Sequence, residues 1–124
     1  MSLAAIERSA VPAKADRGGL MHILLSPKTV KAQTGFMGTL TLTPGEVYKN
    51  HYHPYSDEYL YVVAGEITIM GDTNTVTAKI GTGVFIPKLT PHRLQNTGNA
   101  DTTLVFFSTP LAPRPDLGHV MLED

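Results

Sequence analysis

A pair of closely spaced histidines in this sequence has the pattern expected of metal ligands. His51 and His53 lie two residues apart in a run that predicts a β-strand. Successive side chains of a strand alternate between faces, so both imidazoles point the same way and Tyr52 points the other way. Imidazole nitrogens placed like this can bind one divalent ion. The pair is therefore half of a candidate metal site.

Glu58 and His92 are the candidates for its remaining ligands. Glu58 has the wrong parity for one straight strand with His53, but residues 54–57 (Pro-Tyr-Ser-Asp) predict a turn that resets the parity. If the chain doubles back there, Glu58 enters a neighbouring strand beside the histidines, as a ligand or as a base next to the metal. His92 begins a later strand and would add a third imidazole. Two or three histidines with one carboxylate leave positions open for water or substrate, as in catalytic sites.

The strand that carries Glu58 predicts one buried and one exposed face. Its inward residues would be Glu58, Leu60 and Val62. The outward residues would then be Tyr59, Tyr61 and Val63. An outward apolar row needs a cover, either a second sheet or a second subunit. We therefore expect a homodimer.

Short strands separated by turns position these residues, and no stretch has a convincing helical period. The predicted strands are Met21–Leu25, Met37–Thr43, Val47–His53, Tyr59–Ala64, Glu66–Met70, Thr75–Lys79, Val84–Ile86, His92–Asn96 and Thr102–Ser108. An all-β closed barrel or jelly roll is the expected outcome, because closure removes exposed sheet edges.

The chain divides into three predicted segments. Residues 1–19 form a flexible arm or one that crosses onto a partner, 20–109 form the barrel, and 110–124 form a proline-rich tail that packs on the barrel or a partner. The prolines between Pro110 and Pro115 predict that ladder pairing ends there.

Composition excludes several classes of function. The chain has 124 residues, a net charge of -1 and no cysteine. It offers no basic patch for nucleic acid, no apolar run of about 20 residues for a membrane span, and no thiol chemistry. The N-terminal residues do not have the pattern of a signal peptide. We expect a cytoplasmic protein whose partner is a small-molecule substrate.

Two ordered motifs resemble those of the cupins. The first cupin motif runs Gly, five residues, His-x-His, three or four residues, Glu, six residues, Gly; it is matched by Gly45, His51, His53, Glu58 and Gly65. The second runs Gly, five residues, Pro-x-Gly, two residues, His, three residues, Asn; it is matched by Gly81, Pro87, His92 and Asn96, with Leu89 in place of a glycine. The resemblance implies a double-stranded β-helix that binds one divalent ion (Zn, Fe, Mn or Ni) through His51, His53, Glu58 and His92.

A narrower resemblance concerns the pathway. Residues 24–27, 35–38, 51–58 and 110–120 are similar to small cupins of bacterial aromatic polyketide pathways, of the tetracenomycin, resistomycin and spore-pigment types. Members of that group are described as polyketide cyclases. The resemblance suggests metal-assisted ring closure of an aromatic or polyketone-like molecule. Glu58 and His92 are the candidates for the group that takes the proton.

Two other functions fit the same ligands. One is an Fe(II) or Mn(II) dioxygenase of phenolic substrates, because ligand type does not fix the metal. The other is a cupin that binds a small molecule without catalysis. His22 and His119 lie outside both motifs, and we expect each to be solvated or locally hydrogen-bonded, although His119 could reach the barrel mouth.

Overall fold

The computed structural model describes residues 2–123, which form a nearly all-β domain. Its strands are β1 (Leu20–Leu25), β2 (Phe36–Leu42), β3 (Val47–Tyr52), β4 (Asp57–Ala64), β5 (Glu66–Gly71), β6 (Thr75–Lys79), β7 (Gly83–Ile86), β8 (His92–Gln95), β9 (Thr102–Thr109) and β10 (Val120–Met121). One short helix, α1 (Pro27–Val30), and two 3₁₀ turns, Arg8–Ala10 and Pro115–Leu117, complete the described elements.

The strands form two antiparallel sheets that enclose one core. The first sheet has the order β1-β2-β9-β4-β7 and the second the order β10-β3-β8-β5-β6. Between them lie the buried apolar side chains, among them Leu42, Val62, Ile67, Leu94 and Leu104. This arrangement confirms the expected all-β double-stranded β-helix.

The alternation predicted for β4 is confirmed. Glu58, Leu60 and Val62 are 8%, 4% and 0% exposed. The outward residues Tyr59, Tyr61 and Val63 are 47%, 50% and 40% exposed. Burial of one face therefore fixes the register of β4, since a slip by one residue would exchange the two sets.

Each predicted strand is present, but two details differ from the prediction. Helix α1 was not expected. It begins at Pro27 and is capped by Ser26, whose side chain accepts a hydrogen bond from the Thr29 amide (3.3 Å). The prediction that ladder pairing ends at Pro110 and does not resume is also wrong, because β10 pairs with β3. The last of those prolines is Pro115, so the residues of β10 again have amides to donate.

The N-terminal segment contacts the sheets at two described points. Lys14 exchanges two backbone hydrogen bonds of 2.8 Å with Met21 of β1, and the Lys49 amide of β3 donates to the Arg17 carbonyl (2.9 Å). The division into arm, barrel and tail stays a prediction. Within residues 2–123, no helix is long and apolar enough to cross a membrane; the cytoplasmic location also stays a prediction.

Gly38 is expected to be essential for the pairing of β1 with β2. A Cβ atom there would collide with the His22 carbonyl oxygen and lie 2.9 Å from the Phe106 ring. We expect Gly38→Ala to lower the free energy of unfolding by about 1–3 kcal/mol or more, as overpacking does. Urea denaturation measures the change.

Gly83 on β7 provides the matched control for this prediction. A Cβ atom there meets only the Leu60 carbonyl oxygen, at 3.7 Å. Gly83→Ala should change stability by no more than about 0.5 kcal/mol, the range of ordinary surface substitutions. Equal losses in the two variants would contradict the assignment of the effect to the close contact.

Candidate metal centre

The two sheets bring the four predicted ligands to one end of the barrel interior. His51 on β3 lies directly opposite His92 on β8 in the second sheet. His53 follows β3 by one residue. Glu58 on β4 lies opposite Ser108 of β9 in the first sheet. The turn at residues 53–56 therefore carries the chain to the facing sheet rather than to an adjacent strand, and Glu58 approaches the histidines across the core.

Three imidazoles form a compact cluster. One ring nitrogen from each of His51, His53 and His92 lies within 4.8 Å of the other two. The ring centroids are 4.2 Å apart for His51 and His92, 5.0 Å for His51 and His53, and 5.2 Å for His53 and His92. His51 and His92 are only 2% and 1% exposed. Such convergence of three imidazoles could hold one metal ion.

Backbone carbonyls fix the tautomer of two of these rings. Nδ1 of His51 lies 2.7 Å from the Lys49 carbonyl oxygen, and Nδ1 of His92 lies 2.8 Å from that of Thr90. A carbonyl oxygen can only accept, so each Nδ1 carries the proton and each Nε2 keeps its lone pair. This arrangement is common for metal-binding histidines.

The Nε2 atom of His92 supports the same assignment. It is buried and has no hydrogen-bond partner in the described part of the chain. A buried polar atom without a partner costs about 1–3 kcal/mol. A cation at the centre of the cluster would satisfy this lone pair, so the donor set fits a divalent metal.

Glu58 lies beside the cluster in an apolar setting. Its carboxylate oxygens are 3.5 Å from Nδ1 of His53 and 3.8 Å from Nε2 of His92. The Ser108 hydroxyl donates a long hydrogen bond to Glu58, at 3.5 Å. Burial raises the pKa of Glu58 to about 8 despite that bond. Without a nearby cation the carboxyl group is therefore mostly protonated at neutral pH.

Burial shifts the histidines in the opposite direction. Desolvation, with repulsion from His92, lowers the pKa of His51 to about 3 and that of His53 to about 4. Burial also lowers the pKa of His92. The charged form of each ring is disfavoured, so the rings are neutral near neutral pH and free to act as ligands.

The loop that precedes β8 helps to position His53. Its Leu89 amide donates to the His53 carbonyl oxygen (2.8 Å). Leu89, which replaces the glycine of the second cupin motif, has φ of 66°. The loop therefore keeps the left-handed backbone that glycine adopts easily and leucine adopts at a cost of about 1–2 kcal/mol.

Asn96, the last residue of the second motif, has a structural role. Its side chain is 1% exposed and donates to the Leu42 and Ala100 carbonyls, each at 2.8 Å. Its Oδ1 accepts from the Gly98 amide at 2.9 Å. The side chain therefore ties the end of β2 to the loop between β8 and β9, at a distance from the ligands along β8.

The remaining histidines differ in their relation to the cluster. His22 lies on β1, opposite Thr39 of β2, in the first sheet. His119 comes from the C-terminal segment, and its ring centroid lies 6.3 Å from that of His51 and 6.2 Å from that of His53. Motif spacing gave no reason to include His119. His119 lies near the cluster because it directly precedes β10, a two-residue strand that pairs with β3. The nearby prolines made that strand hard to recognise in the sequence.

Comparison with known proteins was consistent with this geometry. Residues 38–108 match the family described as Cupin domain. The chain is 47% identical to Protein SchB of Streptomyces halstedii over 92% of this chain and 83% of that one. It is 40% identical to the tetracenomycin polyketide synthase protein TcmJ of Streptomyces glaucescens over 97% of this chain and 80% of that one.

Among solved structures, the polyketide cyclase RemF of Streptomyces resistomycificus superposes with a TM-score of 0.76 at 16% identity, over 99% of this chain and 87% of that one. At that identity the superposition supports the fold alone. The match to the family covers more than half of the chain, and both of the relatives described above exceed 30% identity over most of their length. The chain belongs to the cupin family.

Proposed function

We propose that this cupin binds one divalent metal ion through His51, His53, Glu58 and His92 and closes rings in a polyketide substrate. The observation that carries the proposal is the cluster of buried imidazoles, two of which have their Nδ1 protons held by carbonyls. On a six-coordinate divalent ion, three imidazoles and one carboxylate leave positions for a substrate oxygen. A structural site would need no such opening.

The chemistry follows from the setting of the site. A divalent ion bound there would supply a Lewis acid that polarises a carbonyl oxygen of the substrate. The surrounding apolar side chains exclude water and favour one folded pose of a flexible chain. Among them Tyr48, 5% exposed, packs edge-on against His51 with centroids 5.0 Å apart.

An aldol-type closure needs one proton acceptor and no oxidant. A proton leaves the carbon beside one carbonyl, and the electron pair forms a bond to the carbon of a second carbonyl. That second oxygen takes up the proton and becomes a hydroxyl group. Loss of a second proton from the attacking carbon then forms a C=C bond and expels hydroxide, which takes up that proton and leaves as water. Glu58 is the favoured acceptor, because a carboxylate oxygen that does not bind the ion can take the proton. His92 is the second candidate and would have to leave the ion to accept a proton, since its Nδ1 already carries one and its Nε2 is the proposed ligand atom.

The relatives favour this reaction class over others. TcmJ is named as a tetracenomycin polyketide synthase protein, and RemF as a polyketide cyclase. A polyketide also suits a barrel whose core consists largely of leucine, isoleucine and other apolar side chains. We therefore propose a polyketone or its partly cyclised aromatic product as the substrate class.

The test combines product mass with oxygen uptake. Purified protein loaded with zinc, iron or manganese is incubated with the product of a minimal aromatic polyketide synthase, and the products are separated by liquid chromatography and mass spectrometry. We expect a cyclised product that has lost water, with no oxygen consumed. Oxygen uptake tied to a product that has gained oxygen atoms would establish the dioxygenase instead. Tight binding of the polyketide without any product would instead support a cupin that binds a small molecule without catalysis.

We also propose that the chain forms a homodimer through the outer face of the first sheet. That face carries an aromatic patch of Tyr59, Tyr61, Phe85 and Phe107, which are 40% to 52% exposed. The ring centroids of Tyr59 and Phe85 are 5.1 Å apart, and those of Tyr59 and Phe107 are 6.3 Å apart. A continuous exposed aromatic surface is typical of an interface.

Phe85→Glu is expected to convert the dimer to a monomer, because a charge placed at the centre of an apolar interface would be buried without a partner. Light scattering coupled to size exclusion measures the mass. Val76→Glu on β6 of the other sheet, where Val76 is 36% exposed, is the matched control and should stay dimeric. A wild-type protein that is monomeric at every concentration would exclude this interface.

A further inference from the structure

The C-terminal tail, residues 110–123, places an unused imidazole beside the metal centre. The Nε2 atom of His119 is buried and has no hydrogen-bond partner among residues 2–123. Among the described residues, Nε2 of His92 is the other imidazole nitrogen that is buried without a hydrogen-bond partner. Because a buried nitrogen without a partner is costly, its position beside a cluster of ligands calls for a physical explanation.

The distances allow His119 to reach a shared ion. Two imidazoles that bind one ion at about 2.0–2.1 Å have centroids up to about 6.4 Å apart when they lie on opposite sides of it. The His119 centroid lies 6.3 Å from that of His51 and 6.2 Å from that of His53, so each pair taken alone is within this limit, but His119 cannot lie opposite both rings at once. His119 is outside the group of nitrogens that lie within 4.8 Å of one another. Its ring must therefore move inward to bind.

The residues after His119 hold it over the site. Val120 and Met121 pair with Tyr52 and His51 of β3. The Leu122 amide donates to the Asn50 carbonyl oxygen at 2.9 Å. The tail thus lies along β3, the strand that carries His51. His119 approaches the site from the edge of β3 that faces away from β8.

A charged group fixes the end of the tail. The Glu123 carboxylate accepts from the Asn50 amide and from Nε of Arg93 (3.0 Å). Arg93 is the neighbour of His92 on β8. These contacts connect the tail to both ligand-bearing strands of the second sheet, yet β10 has only two residues, so a small shift of the tail requires few bonds to change.

We infer that His119 is a further imidazole ligand of the metal, and that metal binding and docking of the C-terminal tail are coupled. The inference rests on the proposed metal centre. Coupling is reciprocal, so a metal ion that draws His119 inward stabilises the docked tail to the same extent that the docked tail strengthens metal binding. The tail is already paired with β3 without an ion, so metal binding is expected to hold it more firmly in that docked position.

The first test measures zinc affinity by competition with a chromophoric chelator. His119→Ala and His119→Gln should each weaken binding by about tenfold or more, the range seen when a supporting group of a metal site is removed. Asp116→Ala is the matched control in the same tail, because Asp116 pairs only with the exposed Arg114. Its affinity should stay within about twofold of wild type.

The second test measures hydrogen exchange of the tail amides with and without zinc. Zinc should slow exchange at residues 120–122 in the wild type and in Asp116→Ala, but not in the His119 variants. This readout does not depend on activity, and circular dichroism of each variant shows whether the barrel is intact.

The outcomes separate this inference from the metal centre itself. If wild type and the His119 variants bind zinc within twofold of each other and zinc slows tail exchange equally, His119 is not a ligand and the inference is overturned. If the wild type binds no divalent ion at all, the proposed centre fails and the inference fails with it.

Discussion

Replacing His53 by alanine is expected to lower the affinity for a divalent ion by at least about 10–100-fold, because loss of a direct ligand should cost no less than loss of a group that supports one. His53 is the best position for this test. Its side chain is 13% exposed, compared with 1% for His92, so truncation leaves a smaller cavity. Equilibrium dialysis against zinc, followed by metal analysis of the protein, gives the affinity.

His22→Ala on β1 is the matched control for His53→Ala. It removes the same chemical group from the first sheet, away from the cluster, and should leave zinc affinity within about twofold of wild type. Thermal unfolding of the zinc-loaded proteins provides an independent measure, since a ligand stabilises the folded state by an amount that rises with the logarithm of its affinity. Equal metal content in the wild type and His53→Ala under limiting zinc would remove His53 from the site.

Alternation along β4 shows how much of the fold the sequence could predict. Side chains of a strand alternate strictly, so Leu60 and Val62 had to share the face of Glu58 and Tyr61 had to face outward. The same rule placed His51 and His53 together. Local pattern and turn residues were therefore sufficient for the strands and for the faces of the ligands.

Which sheet each strand joins could not be predicted in this way. The turn at residues 54–57 allows the side chain of Glu58 to face the histidines, as predicted. However, β4 lies in the facing sheet rather than beside β3. Hydrogen-bond partners of a strand depend on closure of the whole barrel. The Glu58 carboxylate lies 3.8 Å from Nε2 of His92 across the core. This distance depends on how the whole barrel closes, and no local sequence pattern predicts it.

The tail shows a second limit of sequence reasoning. Proline removes the amide that a strand donates, so the run from Pro110 to Pro115 argued against pairing. The extension of that argument past Pro115 was wrong, because the residues there have amides to donate and β10 adds to β3. Two residues carry too little pattern to be recognised as a strand. The approach of His119 to the cluster therefore depends on a tertiary contact that neither periodicity nor motif spacing describes.

The affinity for zinc is expected to rise about tenfold for each pH unit between about pH 5 and pH 8, because one proton must leave Glu58 when the ion binds. Burial raises the pKa of Glu58 to about 8, so the metal-free protein holds that proton through this window. His51 and His53, with pKa values of about 3 and about 4, have already lost theirs. The dependence of zinc affinity on pH in this window therefore reports on Glu58 and not on the imidazoles of His51 and His53.

The stability of the metal-free protein should show the matching trend. The pKa of Glu58 rises from 4.5 to about 8 on folding, so the folded state binds the extra proton between these values. Its stabilising contribution is complete below about pH 4.5 and is lost as the pH rises through about 8. The histidines act in the opposite direction: their lowered pKa values remove stability as the pH falls below 6.5.

Glu58→Gln separates these contributions, because glutamine keeps the size of the side chain and cannot titrate. Its zinc affinity should be nearly independent of pH between about pH 5 and pH 8, and its metal-free form should lack the loss of stability toward pH 8. Calorimetry in buffers of different ionisation enthalpy counts the protons directly: close to one released per zinc at pH 7 for the wild type, and almost none for Glu58→Gln. A wild-type protein that releases no proton at pH 7 would show that Glu58 does not bind the ion, and the centre would then consist of imidazoles alone.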